Sequence, residues 1–344
     1  MPYEVTIGIP VYNVEKFIRK TLESALAQTF PSIEFLICDD CGTDSSISII
    51  KEYQHVHPRG KDIRIVKQNS NMGVGCARNL IINEAQGKYL YFLDSDDLIV
   101  ENAIEILYEN VKKYNSEIAY GSMEKVLVYD NNKKFKNIEY PFSMFDKIDD
   151  FAQYAYREYD SIQASSCNYL VKLDIYRKND LKYYPINYWE DLLMSIDLPI
   201  HVTRAVLIPD VTYQYMCRTG TLSHYQKRTR IEKKEIIEVI RAISKTKQSC
   251  NRLRKKKYFS QWLYKVMMSC FYVTCSVIRN KSAIFPPFSI QELCDIMYTP
   301  LSFSDLLRIR KKKLGILFFY FMDFLPCSMS IRLLTILGKY KKLI

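Results

Sequence analysis

The sequence predicts an α/β domain built on a mostly parallel sheet flanked by helices, followed by a basic helical region. Three observations predict it. Short runs rich in β-branched and aromatic residues alternate with segments of helical period over the first half of the chain. Those runs are continuously apolar rather than alternating, the pattern of strands covered on both faces. Charge divides sharply: 25 Lys and Arg stand against 7 Asp and Glu from Tyr225 to Ile344, whereas 24 stand against 31 before it. Such asymmetry suggests two jobs, and the expected division is 1–224 and 225–344.

In order, "EVTIGIPVYN" reads as a first strand ending near Pro10, and Val14 to Ala27 has helical spacing. "SIEFLICDD" is a second strand closed by acids. Thr43 or Asp44 can cap a helix from Ser45 to about His55, and "DIRIVKQ" is a third strand. Gly75 to Ala85 reads as a helix, "KYLYFLD" as a fourth strand, and Glu101 to Tyr114 as an amphipathic helix. "EIAYGSM" and "KVLVYD" are two further strands, residues 130–140 a polar loop or hairpin tip, and Lys147 to Tyr159 a helix. His201 reads as structural.

At 344 residues and 48% hydrophobic content, the chain can bury one large core or two ordinary ones and is not disordered. Ten scattered cysteines do not form a small-domain disulfide framework and fit a reducing cytosol. Cys38 and Cys41 have CxxC spacing but no second pair, so small packed side chains are the reading. The N-terminus lacks a basic n-region, so no signal peptide is expected.

The chemistry gathers in acids at strand ends. In open α/β sheets, ligands bind beyond the carboxyl ends of the strands. Asp39 and Asp40 end the second strand, and Asp94, Asp96 and Asp97 the fourth, so both clusters should face one crevice. Helix capping near Glu101 would explain one of the three acids but not all. A divalent cation would neutralise them, and all-oxygen ligands suit Mg²⁺ or Mn²⁺, typically with substrate phosphates completing the shell.

"IGIPVYNVEKFIRKTLESALAQTF", "EFLICDDCGTDSS", "QNSNMGVGCARNLIINEAQGKYLYFLDSDD" and "WED" occur in that order. Together they resemble family 2 glycosyltransferases of the GT-A fold, the group that builds bacterial surface polysaccharides. The resemblance spans about Val5 to His224. It implies an inverting enzyme, a nucleotide-sugar donor (UDP type), and a glycan or polyprenyl-linked acceptor. Pro10 and Tyr12 would line the nucleobase pocket. Cys41 stands before Gly42 where the family usually reads D-D-G-S, leaving Asp39 or Asp40 as the partner of the base. Gly73 and Arg78 would approach the nucleotide. Asp94 and Asp96 match the family's D-x-D, with Asp96 the direct metal ligand, Asp94 on the ribose or the ion, and Ser95 among the nucleotide contacts. Asp191 matches the catalytic base, with Trp189 and Glu190 toward the acceptor; apart from the resemblance, the two acids would simply open a helix. Arg218 and Ser223 would close over the diphosphate, and His224 would complete the metal shell.

Two rivals stand beside this. A nucleotidyltransferase would need a glycine- and lysine-rich phosphate loop after the first strand, which "IPVYNVEKF" is not. A non-catalytic adaptor could keep the fold. In the basic rear, Gly315 to Leu337 is apolar but interrupted by Asp323, Pro326 and Arg332. That predicts helices lying in an anionic interface, not a span, and places the chain peripherally at the inner face of the membrane. No nucleic-acid motif appears, so nucleic acid is not an expected partner.

Overall fold

A computed structural model describes residues 2–128, 132–158, 160–186, 189–218, 230–299, 301–309 and 311–344, with the side chain of residue 308 left aside. The chain falls into two compact units: Met1–Phe151 with Gln163–Thr219, and Ala152–Ile162 with Gly220–Ile344.

The first unit opens as the patterns predict: β1 (Tyr3–Val11), α1 (Ile18–Leu26), β2 (Ile33–Asp39), α2 (Ser46–Val56), β3 (Ile63–Lys67), α3 (Val74–Glu84) and β4 (Gly87–Phe92). Next come β5 (Leu98–Ile99), α4 (Ala103–Lys113), β6 (Ile118–Leu127), β7 (Lys133–Ile138) and β8 (Ser143–Phe145), and then α5 (Asp150–Ala155), most of whose residues belong to the second unit. The first unit closes with β9 (Tyr169–Lys172), α6 (Leu173–Lys178), α7 (Glu190–Asp197) and β10 (Ala205–Cys217). The sheet runs β3-β2-β1-β4-β9-β6-β10-β5, with β7 on β6 and β8 on β10. It is parallel from β3 to β4 and between β6 and β10, while β9 inserts antiparallel to both neighbours. Every residue of β2 is buried, as its unbroken apolar run requires. Helix α3 packs on β1 and β2, and α4 on β6, β9 and β10.

The structure departs from four local expectations. The two strands expected at 117–123 and 125–130 are one strand, β6, because its backbone pairs continuously with β10 apart from register shifts near Val211. Most of the expected loop at 130–140 is β7. Its side chains are largely exposed, so the ladder with β6, not burial, defines it, and polar composition misleads. The helix expected over 147–159 shrinks to α5. Helix α1 also starts late: Asn13 is left-handed (φ 50°), and the Val14 amide donates to Ser46 Oγ at 2.9 Å, so the chain turns before it coils.

Gly87 shows how closely β1 and β4 approach. A Cβ there would lie 2.5 Å from the Thr6 amide nitrogen and 2.6 Å from the Val5 carbonyl carbon. Both are backbone atoms of a central strand and cannot give. Gly87→Ala is expected to cost about 1–3 kcal/mol in urea unfolding, with loss of ligand affinity because β4 carries the Asp94 loop. An unchanged midpoint would contradict the packing argument.

The second unit is mainly helical: α8 (Lys233–Gln248), α9 (Cys250–Leu253), α10 (Phe259–Arg279), α11 (Ile290–Met297), α12 (Phe303–Arg308), α13 (Lys313–Met322) and α14 (Cys327–Tyr340), with a small parallel pair, β11 (Ile231–Glu232) and β12 (Ile284–Phe285). Helix α10 is its axis, buried along most of its length with Trp262 fully enclosed. The apolar stretch 315–337 is two helices divided at Asp323 and Pro326. Among the described residues no helix is long and apolar enough to cross a membrane. No disulfide joins any of the ten cysteines.

Candidate active site

The ends of β2 and β4 flank β1. Asp39 is level with Val11, Phe92 is level with Gly8, and the Leu93 amide continues the ladder onto the Gly8 carbonyl at 3.0 Å. Both acidic clusters therefore lie at the same end of the parallel strands, as the topology requires.

Asp39 and Asp40 do different work. Asp40 is buried and tied into the protein: Oδ1 accepts from Gln68 Nε2 at 2.7 Å and the Met72 amide at 2.8 Å, and Oδ2 from the Gly73 amide at 3.0 Å. Burial still raises its pKa against these three donors. It holds the loop that leads into α3, where Gly73 is left-handed (φ 84°), a conformation that favours glycine. Asp39 instead lines a cavity of about 290 Å³ together with Val11, Gly42, Lys51 and Lys67, and Lys67 Nζ approaches Asp39 Oδ2 at 3.8 Å. Tyr12 lies next to that wall and is exposed. Pro10 sits beyond the last β4 pair, so its missing N–H costs β1 nothing on that side. Cys41 is left-handed, and its thiol donates to the Gln68 carbonyl at 3.1 Å, with no second cysteine involved.

The three acids after β4 separate too. Asp97 is buried and structural: Tyr213 Oη and the Met216 amide donate to it, each at 2.7 Å. Burial, with Asp94 and Asp96 beside it, pushes its carboxyl well above the usual carboxylate range. None of the three caps a helix, since β5 follows them and α4 begins only after Asn102. Ser95 is buried, and its carbonyl accepts from Thr21 Oγ1 at 3.0 Å. Asp94 and Asp96 each keep about a third of the side chain exposed, 33% and 30%. Burial, then the charge of Asp94, raises Asp96 to about 6, against the pull of Arg218. Arg218 lies 3.5 Å from Asp96 Oδ2, donates to the Asp96 carbonyl, and stacks 4.4 Å over the Phe17 ring.

Arg78 is not solvated but fully enclosed, and it organises the site. One guanidinium nitrogen, Nη1, donates to Glu190 Oε1 and to Asp191 Oδ1, both at 2.7 Å. The other, Nη2, donates to Asp94 Oδ1 at 3.0 Å. Its Cζ lies 5.4 Å from the Tyr183 ring and 5.9 Å from the Phe92 ring. Three carboxylates around one cation leave a net negative charge in a mostly dry place, the setting in which a further cation binds and pKa values rise. Burial pushes Asp191 up to about 7; Arg78 draws it down, while Glu190 and Asp94 push it further up. Trp189, immediately before α7, is left-handed (φ 66°), a rare state for a bulky residue, and turns the chain so that two successive acids reach Arg78.

The structure thus brings Arg78, Asp94, Glu190 and Asp191 into one cluster, with Asp96 and Arg218 as an adjoining pair. Asp39 stands at its own cavity. Ser223 and His224 lie outside the described residues. Tyr183, Lys51 and Lys67 were missed in the sequence, which has no local pattern marking them.

Residues 6–178 match the family described as Glycosyl transferase family 2. The chain belongs to that family. Glycosyltransferase GlyA from Streptococcus pneumoniae is 39% identical over 119 residues, covering 35% of this chain and 16% of that protein. Chondroitin synthase from Escherichia coli is 39% identical over 109 residues, covering 32% of this chain and 15% of that protein. The matches therefore cover less than a fifth of the length of both relatives. Among solved structures, residues 1–349 of S. aureus TarS in complex with UDP-GlcNAc align with a TM-score of 0.69 at 15% identity, covering 98% of this chain and 92% of that one. At that identity the likeness establishes the fold: this family 2 chain has the GT-A architecture, with the helical region after it.

Proposed function

We propose that the chain is an inverting glycosyltransferase, moving a sugar from a nucleotide-sugar donor of UDP type to a glycan or lipid-linked acceptor in cell-surface polysaccharide biosynthesis. The observation that carries this is the Arg78 cluster: three carboxylates from β4, α7 and their loops, gathered at the carboxyl ends of the strands, with Asp191 partly open and raised to about 7. Family membership and the TarS complex support the donor class.

Asp191 is the general base. As an acceptor oxygen bonds to the anomeric carbon from the face opposite the diphosphate, the bond from that carbon to the phosphate oxygen breaks. The acceptor's proton passes to Asp191 and the nucleoside diphosphate departs. Asp39, not Asp40, is assigned to the base of the nucleotide, because Asp40 already accepts three bonds while Asp39 faces the cavity. Arg218 closes on the diphosphate side, and Trp189 and Glu190 border the acceptor.

Among the described residues no group of three His, Cys, Asp or Glu is placed to hold a metal alone. Two part-exposed carboxylates, with the charge of Asp94 raising the proton affinity of Asp96, nevertheless fit a cation whose remaining positions are filled by phosphate and water. Asp96 and Asp94 would hold Mn²⁺ or Mg²⁺, which supplies positive charge to the diphosphate when bound.

Titration calorimetry with UDP tests this. Uptake is expected with Mn²⁺ and not without it, and Asp96→Asn should weaken it by at least about tenfold. Absence of metal-dependent uptake in the wild type would favour an adaptor that kept the fold. The excess of positive charge after Tyr225 supports a peripheral location at the inner face of an anionic membrane.

A further inference from the structure

Helices α13 and α14 both pack on α10. A Cβ on Gly315 would meet the Tyr264 ring at 2.5 Å, the Phe319 ring lies tilted against Phe271 with centroids 6.0 Å apart, and a Cβ on Gly338 would meet Cys275 Sγ at 2.9 Å. Tyr264, Phe271 and Cys275 are spaced i, i+7, i+11, so they share one face of α10. Both helices are therefore seated on the same face, and their outward sides turn away from it together.

Those outward sides are apolar. On α13 and its exit, Leu314, Phe318, Phe321 and Phe324 are 37–86% exposed at spacings of four, three and three. On α14, Met329, Leu333, Ile336 and Tyr340 repeat the pattern at four, three and four, and are 38–85% exposed. Two stripes of large side chains in water at helical period are not the scattered exposed residues of an ordinary surface.

The charge around the stripes narrows the occupant. Residues 311–344 contain seven Lys and Arg and one acid, Asp323. Lys311 and Lys313 are exposed where α13 begins, and Lys339, Lys341 and Lys342 where α14 ends. Helix α13 has no acid in its first turn; Lys312 at its N-cap pairs with Glu158 at 2.6 Å, while Lys311 and Lys313 stay exposed at the positive end of the helix dipole. A second copy using the same face would set one basic patch against another. An anionic lipid surface satisfies both features, its acyl region taking the aromatic and aliphatic side chains and its headgroups the lysines.

We propose that the outward faces of α13 and α14 form a docking surface for an anionic lipid bilayer. This rests on the membrane location proposed above and names the surface that achieves it. Its test reads lipid binding and not transfer, so it can fail while the catalytic reading stands.

The test is cosedimentation of the full chain with vesicles of phosphatidylcholine alone, or with about 30% phosphatidylglycerol. At about 0.1 M salt, binding should be at least about tenfold stronger to the anionic vesicles, and most of that preference should vanish near about 0.5 M. Phe321→Ser with Phe324→Ser, and separately Lys341→Glu with Lys342→Glu, should each weaken binding by about tenfold. Phe142→Ser, an exposed aromatic of the first unit, should bind as wild type. All these side chains are exposed, and unchanged helical circular dichroism would show that the variants fold. Equal affinity for neutral and anionic vesicles, or wild-type binding by the double phenylalanine variant, would overturn the proposal. So would a wild-type dimer in sedimentation velocity that the same variant dissociates, which would assign the face to a second copy.

Discussion

Asp191→Asn is expected to lower transfer by about 10³-fold while leaving nucleotide affinity within about threefold. The amide keeps the shape and can still meet Arg78, but it cannot take the acceptor's proton. The pH profile gives the sign. The working form is ionised, and burial holds the carboxyl near 7, so the rate should rise about tenfold per pH unit below 7 and level off above it. In Asp191→Asn that limb should disappear. A rate that falls through pH 7 would instead make this carboxyl an acid. Stability separates loss of chemistry from loss of fold. A carboxyl raised on folding binds its proton more tightly in the folded chain, so it costs stability as pH climbs from its ordinary value toward 7. Removing that charge should leave the variant at least as stable as wild type at pH 8, and parallel loss of activity, nucleotide binding and stability would sink the base assignment.

Arg78→Met is expected to cost about 3–5 kcal/mol, the range for stripping one partner from a buried ionic group. Asp94, Glu190 and Asp191 would then face one another without a counter-charge. The loss should be pH-dependent: protonation relieves the repulsion, so the deficit should shrink as pH falls from 8 to 5.5. Arg78→Lys should recover only part, since one ammonium cannot span three carboxylates as a two-armed guanidinium does. Urea unfolding followed by a probe in the first unit measures both. A cost under about 1 kcal/mol for Arg78→Met would show that Arg78 contributes a nucleotide contact and no scaffold.

Much of the first unit was legible because its strands are local signals. β1, β2, β3 and β4 are short apolar runs ended by Pro, acids or a glycine loop, and the helices between them have clear period. The carboxyl-end rule then placed both acidic clusters on one side without coordinates. Legibility failed where backbone pairing overrides composition. β7 is polar and exposed, and only its ladder to β6 makes it a strand. Spacing alone could not divide labour among neighbouring acids either. Asp39 and Asp40 are adjacent, as are Asp96 and Asp97, yet Asp40 and Asp97 are bound into the protein by several donors, whereas Asp39 borders a cavity and Asp96 stays part-exposed. Side-chain direction at the end of a strand depends on which loop folds back over it.

By itself, the sequence determined the alternating architecture, the basic rear and the two clusters of acids at strand ends. The strands, helices and acid clusters follow from local periodicity over a few residues, and the basic rear from composition along the chain after Tyr225. Only the tertiary structure decided that Arg78 joins Asp94, 16 residues away, to Glu190 and Asp191, 112 and 113 residues away. It also seated α13 and α14 on one face of α10, leaving an apolar stripe exposed on each. The physical reason is the same in both cases: a charge seeks whichever partners the fold delivers, and a helix buries whichever face its neighbour offers, and neither is written in the residues next to it.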